Sequence, residues 1–265
     1  MRVEWLACAA LLAGCDVLWS IDRVTPIAAD GPMLVSCDGG GHNEDGDAYP
    51  DDCDVCPGVA DDQKDDDEDG VGNACDPSGT ETNKLVFFEP FASDTGKWNA
   101  LNGSWLVRND KLEYTTVLAD NAYVLFNGVV PVPPYVIDYH YTVDQIDPAM
   151  ASLFMVTIDT TGPSTGGSLG QFRTVGPLKD SIQISFAEPM TGMASDIMTV
   201  TAGGYHVHVN YDPGGTVSCR LDADDNTIGG ATMLQLSSKP PSGTIGFRSL
   251  QVGARVDYIA IYKKS

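Results

Sequence analysis

Asp65, Asp67, Asp69, Gly70, Val71, Asn73 and Asp76 fall at positions 1, 3, 5, 6, 7, 9 and 12 of a twelve-residue stretch. Oxygen donors at this spacing converge when the chain winds tightly round one point, and a hard cation such as calcium needs many oxygens at once. Glycine at the sixth position permits the sharp turn. Val71, at the seventh, would contribute only its backbone carbonyl. A second set repeats the offsets: Asn43, Asp45, Asp47, Ala48, Tyr49, Asp51 and Asp54. It has Asn at the first position and Ala in place of the glycine, so it is the weaker of the two.

The chain has 265 residues and a formal net charge of −22. Residues 38–76 hold fifteen Asp and Glu against one Lys, whereas residues 77–265 hold eighteen against twelve basic residues. Acidity without a basic stripe argues against nucleic acid and against anionic membrane surfaces as partners. By composition alone the acidic stretch would read as a disordered linker. A random acidic run, however, has no reason to meet six ligand positions and the glycine together, nor to place cysteines at matching ends of two motifs.

Each ligand set resembles an EF-hand loop. The whole of 43–76, with Asp54-Val55-Cys56-Pro57, then Gln63, then DDDEDGVGNACD at 65–76, is similar to a thrombospondin type 3 repeat. Val55 and Asn73 depart from that family's usual Asn and Asp. The resemblance implies calcium as cofactor, held by both ligand sets, and a disulfide from Cys56 to Cys75. The remaining cysteines near the module, Cys37 and Cys53, are then left to pair with each other.

The N-terminus, MRVEWLACAALLAGCD, has a short apolar run from Trp5 to Ala13, too short to span a bilayer and suited to an export signal. Leu12-Ala13-Gly14-Cys15 resembles a bacterial lipobox, which implies cleavage before Cys15 and lipidation of its thiol. Multiple acyl chains anchor a protein stably. A bacterial cell-envelope location is expected, at the outer membrane or cell surface rather than the inner membrane, in a disulfide-permissive compartment.

The elements behind these motifs alternate with period two. Tyr135, Ile137, Tyr139, Tyr141 and Val143 share one face; so do Ile182, Ile184 and Phe186; so do Tyr205, Val207, Val209 and Tyr211. Asp212-Pro213-Gly214-Gly215 turns the chain, and Val217, Cys219 and Leu221 continue on a return strand. About a dozen such runs, broken by Gly, Pro, Asn and Asp, predict a mainly β chain: an antiparallel β-sandwich. The opening FFEPFASDTGKWNALNGSWLV and the closing GTIGFRSLQVGARVDYIAIYKKS resemble a concanavalin A-like (laminin G-like) jelly roll. That resemblance implies a last strand paired near the first. The expected organisation is a signal at 1–14, a lipidated tether at 15–36, the calcium- and disulfide-stabilised irregular module at 37–76, a linker at 77–83 and the sandwich at 84–265.

No catalytic residue stands out. A retaining glycosidase of this fold would carry Glu-x-Asp-x-x-Glu with two carboxylates close together, and Glu89, Glu113 and Glu188 lie in no such pattern. The Gly-rich 161–170 lacks the lysine of a phosphate loop. His206 and His208 share a face but have no third ligand in view. Trp98 and Trp105 could stack on sugar, but core packing is expected. Cys219, in phase with core residues, is expected to be an inert buried thiol. The function these features imply is binding: a lectin-like head engaging glycan or another surface component. The alternatives are a glycoside hydrolase of the same superfamily and a purely structural spacer-and-cap.

Overall fold

The structure, a computed structural model, describes residues 41–115, 121–147, 149–160, 165–174, 180–186, 192–236 and 244–265. The export signal, Cys15, the tether, Cys37 and Glu188 lie outside the described residues. The described residues belong to one compact unit.

A single 3₁₀ turn at Asp51–Cys53 precedes the strands. These are β1 (Asn83–Glu89), β2 (Trp98–Asn102), β3 (Trp105–Arg108), β4 (Lys111–Tyr114), β5 (Ala122–Phe126), β6 (Tyr135–Ile146), β7 (Ser152–Thr160) and β8 (Gly167–Arg173). There follow β9 (Ser181–Phe186), β10 (Gly192–Ile197), β11 (Gly203–Tyr211), β12 (Thr216–Ala223), β13 (Gly229–Gln235), β14 (Thr244–Leu250) and β15 (Val252–Lys264). The order β13-β12-β11-β6-β15-β4-β3, with β1 also on β15, makes the first sheet; β10-β9-β8-β7-β14-β5-β2 makes the second. Every pairing is antiparallel, and the last strand lies between β6 and the first strand. The expected two-sheet antiparallel sandwich, with its terminal strands paired, is what forms.

Strand alternation divides each strand between core and outer face. Tyr135, Ile137, Tyr139, Tyr141 and Val143 of β6 all enter the common core, as do Tyr205, Val207, Val209 and Tyr211 of β11. Val217, Cys219 and Leu221 face the same core from β12. The β11–β12 turn closes through Gly215 N–H donating to Asp212 O at 3.0 Å, with Gly215 at φ +84°. At the centre the rings of Phe247 and Phe154 stack at 5.9 Å, Tyr141 stacks on Phe154 at 4.6 Å, and Trp98 stacks on Phe247 at 5.6 Å. Trp105 packs on Tyr114 at 4.9 Å. Both tryptophans therefore serve the core.

The outer face of the first sheet is set by register. Across β12, β11, β6 and β15 it carries one row Asp222–His206–His140–Tyr258 and a second row Arg220–His208–Asp138–Ala260. The register of β15 slips between Val256 and Tyr258. Val256 and Ile259 both point into the core, so Asp257 and Tyr258 fall together on the outer side. A bulge re-aims a side chain in this way.

Phe247 is fully buried and touches rings from both sheets. Phe247→Ala is expected to destabilise the fold by about 3–5 kcal/mol, read as a lower urea midpoint at unchanged slope.

Candidate functional site

The acidic module is short of hydrocarbon and borrows it from the sheet. Cys56, Val71 and Cys75 form a small cluster with Val136, Ala260 and Tyr262 on the outer face of the first sheet, flanked by Val59, Leu85 and Phe88. The expected Cys56–Cys75 disulfide is present, with a Cα–Cα distance of 5.6 Å and a separation of 19 residues. Closing a loop of that length stabilises by about 3 kcal/mol through the unfolded chain. Asn83, expected as the last residue of the linker, is instead buried as the first residue of β1. Its amide donates to Asp76 Oδ1 at 2.6 Å and to Glu81 O at 2.8 Å, and its backbone N–H donates to Asp69 Oδ2. Two of the expected ligand residues are thereby fastened to the sandwich.

In the second set Asp65, Asp67 and Asp69 each bring a carboxylate oxygen into one cluster, all within 4.8 Å of one another. Gly70 at φ +89° supplies the turn. The loop is wound by its own carboxylates: Asp65 accepts from Gly70 N–H at 2.8 Å, and Asp69 accepts from Val71 N–H at 2.8 Å. The Val71 side chain is buried in the small cluster, so only its carbonyl is free for a ligand role. Asn73 Oδ1 accepts from Asp66 N–H at 3.0 Å, which ties the ninth position back to the loop. Asp76 accepts from Ser78 N–H and from Asn83, and its charge is felt by Asp67. The Asp67 carboxyl is pushed up by desolvation and then by Asp69, Asp76 and Asp65.

In the first set Asp45, Asp47 and Asp54 converge in the same way. Its left-handed residue is Gly46, φ +74°, at the fourth position, where the second loop has Glu68 at φ +58°. Asn43 Oδ1 accepts from Gly46 N–H at 2.7 Å, and Asp47 accepts from Tyr49 N–H at 2.6 Å. Asp51 is turned aside: one oxygen lies 2.7 Å from His42 Nδ1 and the other accepts from Glu44 N–H at 2.8 Å. Burial, the larger cause, and neighbouring carboxylates raise Asp45 and Asp54.

Two residues not singled out as ligands join this set. Gln63 Nε2 donates to Asp54 Oδ1 at 2.7 Å and to Asp61 Oδ1 at 2.9 Å. Asp45 Oδ2 and Asp61 Oδ2 are buried with no hydrogen-bond partner. A buried acceptor without a donor is costly, and a cation held by Asp45, Asp47 and Asp54 would relieve that cost at Asp45. The donor set, all oxygen and all hard, fits calcium. Asp61 lies outside the twelve-residue spacing, so its only sequence signal was its place beside Gln63.

The rest of the outer face is polar. His208 Nδ1 lies 3.2 Å from Asp138 Oδ2, and that bond raises the histidine. His206 is lowered by burial and by His140. Glu44 beside them is pushed up to about 8 by burial, against the pull of Lys111. Arg108 and Asn109 engage Glu113, and Glu89 accepts from Phe91 N–H at 3.3 Å. Cys219 is a buried free thiol raised to about 12 by desolvation.

This architecture is that of a lectin-type β-sandwich, and solved structures place it among such folds. The chain is similar to the CBM2 module of the evolved Dit of Lactobacillus casei BL23 phage J-1, at 12% identity and TM-score 0.51, over 69% of this chain and 96% of that one. It is similar to lectin I from Ulex europaeus at 10% identity and TM-score 0.51, over 68% and 97%. It is also similar to the carbohydrate recognition domain of Emp47p at 11% identity and TM-score 0.52, over 72% and 100%. At these identities the likeness is one of fold. No family model matches the chain, and no curated protein matches it.

A Cβ at Gly72 would meet Val55 Cγ2 at 2.6 Å, Cys56 Sγ at 2.8 Å and Asp61 Oδ2 at 2.9 Å, whereas at Gly79 the nearest atom is 3.9 Å away. Gly72→Ala is expected to cost about 1–3 kcal/mol by overpacking, and Gly79→Ala less than about 0.5 kcal/mol, both read from urea unfolding.

Proposed function

We propose that this chain is a calcium-binding, glycan-binding protein of a bacterial cell envelope, anchored through lipidated Cys15. The observation that carries the calcium reading is the convergence of Asp45, Asp47 and Asp54, and of Asp65, Asp67 and Asp69, at the ligand spacing of a thrombospondin type 3-like module. Like charges held this close repel, and a divalent ion converts the repulsion into coordination. Binding free energy then adds to folding free energy. The first set draws its ligands from Asp45, Asp47 and Asp54, the second from Asp65, Asp67, Asp69, Asp76 and the Val71 carbonyl.

What supports the glycan reading is the shared fold. Lectin I from Ulex europaeus is in complex with the methyl glycoside of α-L-fucose, and the Emp47p domain is a carbohydrate recognition domain. The sandwich presents the binding surface, and the module stiffens its outer face. The lipobox-like Leu12-Ala13-Gly14-Cys15 supports the anchored location.

Titrating calcium into the chelator-treated full chain by calorimetry is expected to give heat with a dissociation constant of about 10⁻⁴ to 10⁻³ M. Asp67→Asn together with Asp69→Asn should remove the tighter component. No heat at millimolar calcium would sink the calcium reading. On a glycan array in millimolar calcium, the full chain is expected to retain a defined subset of glycans. Silence there would leave a structural spacer-and-cap, and release of reducing sugar from polysaccharide would make it a hydrolase.

A further inference from the structure

His140 and His206 are 66 positions apart in the chain, and β6 and β11 pair them directly across from one another. Their rings lie 4.5 Å apart between centroids on the outer face. Asp224, just past the end of β12, brings its carboxylate to both. His140 Nε2 is 2.9 Å from Asp224 Oδ1 and His206 Nε2 is 3.8 Å from the same oxygen. We propose that His140, His206 and Asp224, which belong to neither carboxylate cluster, form a binding site for a divalent transition metal of the zinc type.

Four features of the arrangement support this. The first is spacing. Ligand atoms about 2.0–2.1 Å from a tetrahedral zinc lie about 3.3 Å from one another. The two measured separations, 2.9 and 3.8 Å, bracket that value, and all three ligand atoms fall within 4.8 Å. The second is orientation. Asp257 Oδ2 lies 2.7 Å from His140 Nδ1. A carboxylate on the remote nitrogen of a histidine fixes the tautomer that leaves the other nitrogen free for metal. Asp257 reaches the outer face through the β15 bulge, and Lys111 holds its other oxygen. The third is room. Any side chain at Gly204 would collide with the Asp224 carboxylate, and Gly204 O accepts from Asp224 N–H at 3.1 Å. The end of the hairpin is thus clamped where the carboxylate can reach in. The fourth is access. A pocket of about 290 Å³ opens onto both histidines, with Glu44, Asp45, Lys111, Asp257 and Tyr258 among its walls. It leaves a fourth coordination position for water or for an oxygen donor on a ligand.

Two imidazole nitrogens and one carboxylate are a poor match for calcium, which takes oxygen, and a good match for zinc. The competing arrangement has no metal: His140 is an imidazolium donating from one nitrogen to Asp257 and from the other to Asp224. In that arrangement His206 only packs its ring against His140, with Nε2 left 3.8 Å from Asp224.

The experiment is equilibrium binding of Zn²⁺ to the full chain in excess calcium, which occupies the carboxylate clusters. The wild type is expected to bind one Zn²⁺ at least tenfold more tightly than His140→Ala, His206→Ala or Asp224→Ala. His208→Ala, on the neighbouring row and paired with Asp138, should match the wild type. Co²⁺ added to the wild type alone should give the intense visible bands of a four-coordinate site, which keeps the test decisive if a variant misfolds. Zinc bound equally by wild type and the His140→Ala/His206→Ala double variant, an equal loss in His208→Ala, no binding at all, or only weak six-coordinate cobalt bands would each overturn the proposal.

Discussion

Carboxylates placed within 4.8 Å of one another repel, and this module holds two such groups against the face of a sheet. Its one basic residue of full charge, Lys64, is paired with Asp62. The loops therefore stay wound through other means. The Cys56–Cys75 bond limits how far the unfolded chain can spread. Side-chain carboxylates accept from backbone N–H groups within their own loops. Asn83 fastens Asp69 and Asp76 to the first strand of the sandwich. Burial first, and neighbouring carboxylates after it, raise the carboxyl groups of Asp45, Asp54 and Asp67.

The first sheet answers to that constraint on its outer side. An outer face of a sandwich is ordinarily wet and polar, and most of this one is. Where the module sits, however, it offers Val136, Ala260 and Tyr262, which supply apolar surface the acidic segment lacks. The disulfide and Val71 are buried only because that surface exists. The module is thus part of the same compact unit as the sandwich.

The inner side explains why the face can be divided so sharply. The fifteen strands of the described residues bury a continuous aromatic core, in which contacts link Phe154, Phe247, Tyr139, Tyr141 and Trp98. That core holds register, and register decides which outward residues become neighbours. A shift of one residue in β6 against β11 would send every tyrosine to solvent. The rows that carry His140, His206, His208 and Asp138 are consequently as fixed as the core.

Much of this was legible in the chain. The period-two runs identified β6, β9, β11 and β12 and the side of each that is buried, because alternation is a local property of extended backbone. The aspartate spacing located both carboxylate clusters, since a winding loop brings near neighbours in sequence together. Thrombospondin-like cysteine placement anticipated Cys56–Cys75. Other features depend on contacts between distant segments. His140 meets His206 only through strand pairing, and Asp224 joins them only because a hairpin ends beside Gly204. Asp257 faces outward because of a bulge that no alternation pattern reveals. Asp61 is tied to Asp54 only through Gln63, whose amide donates to both. Local spacing determined the loops and the strands; register and packing, which sum over the whole core, decided which of their side chains could act together.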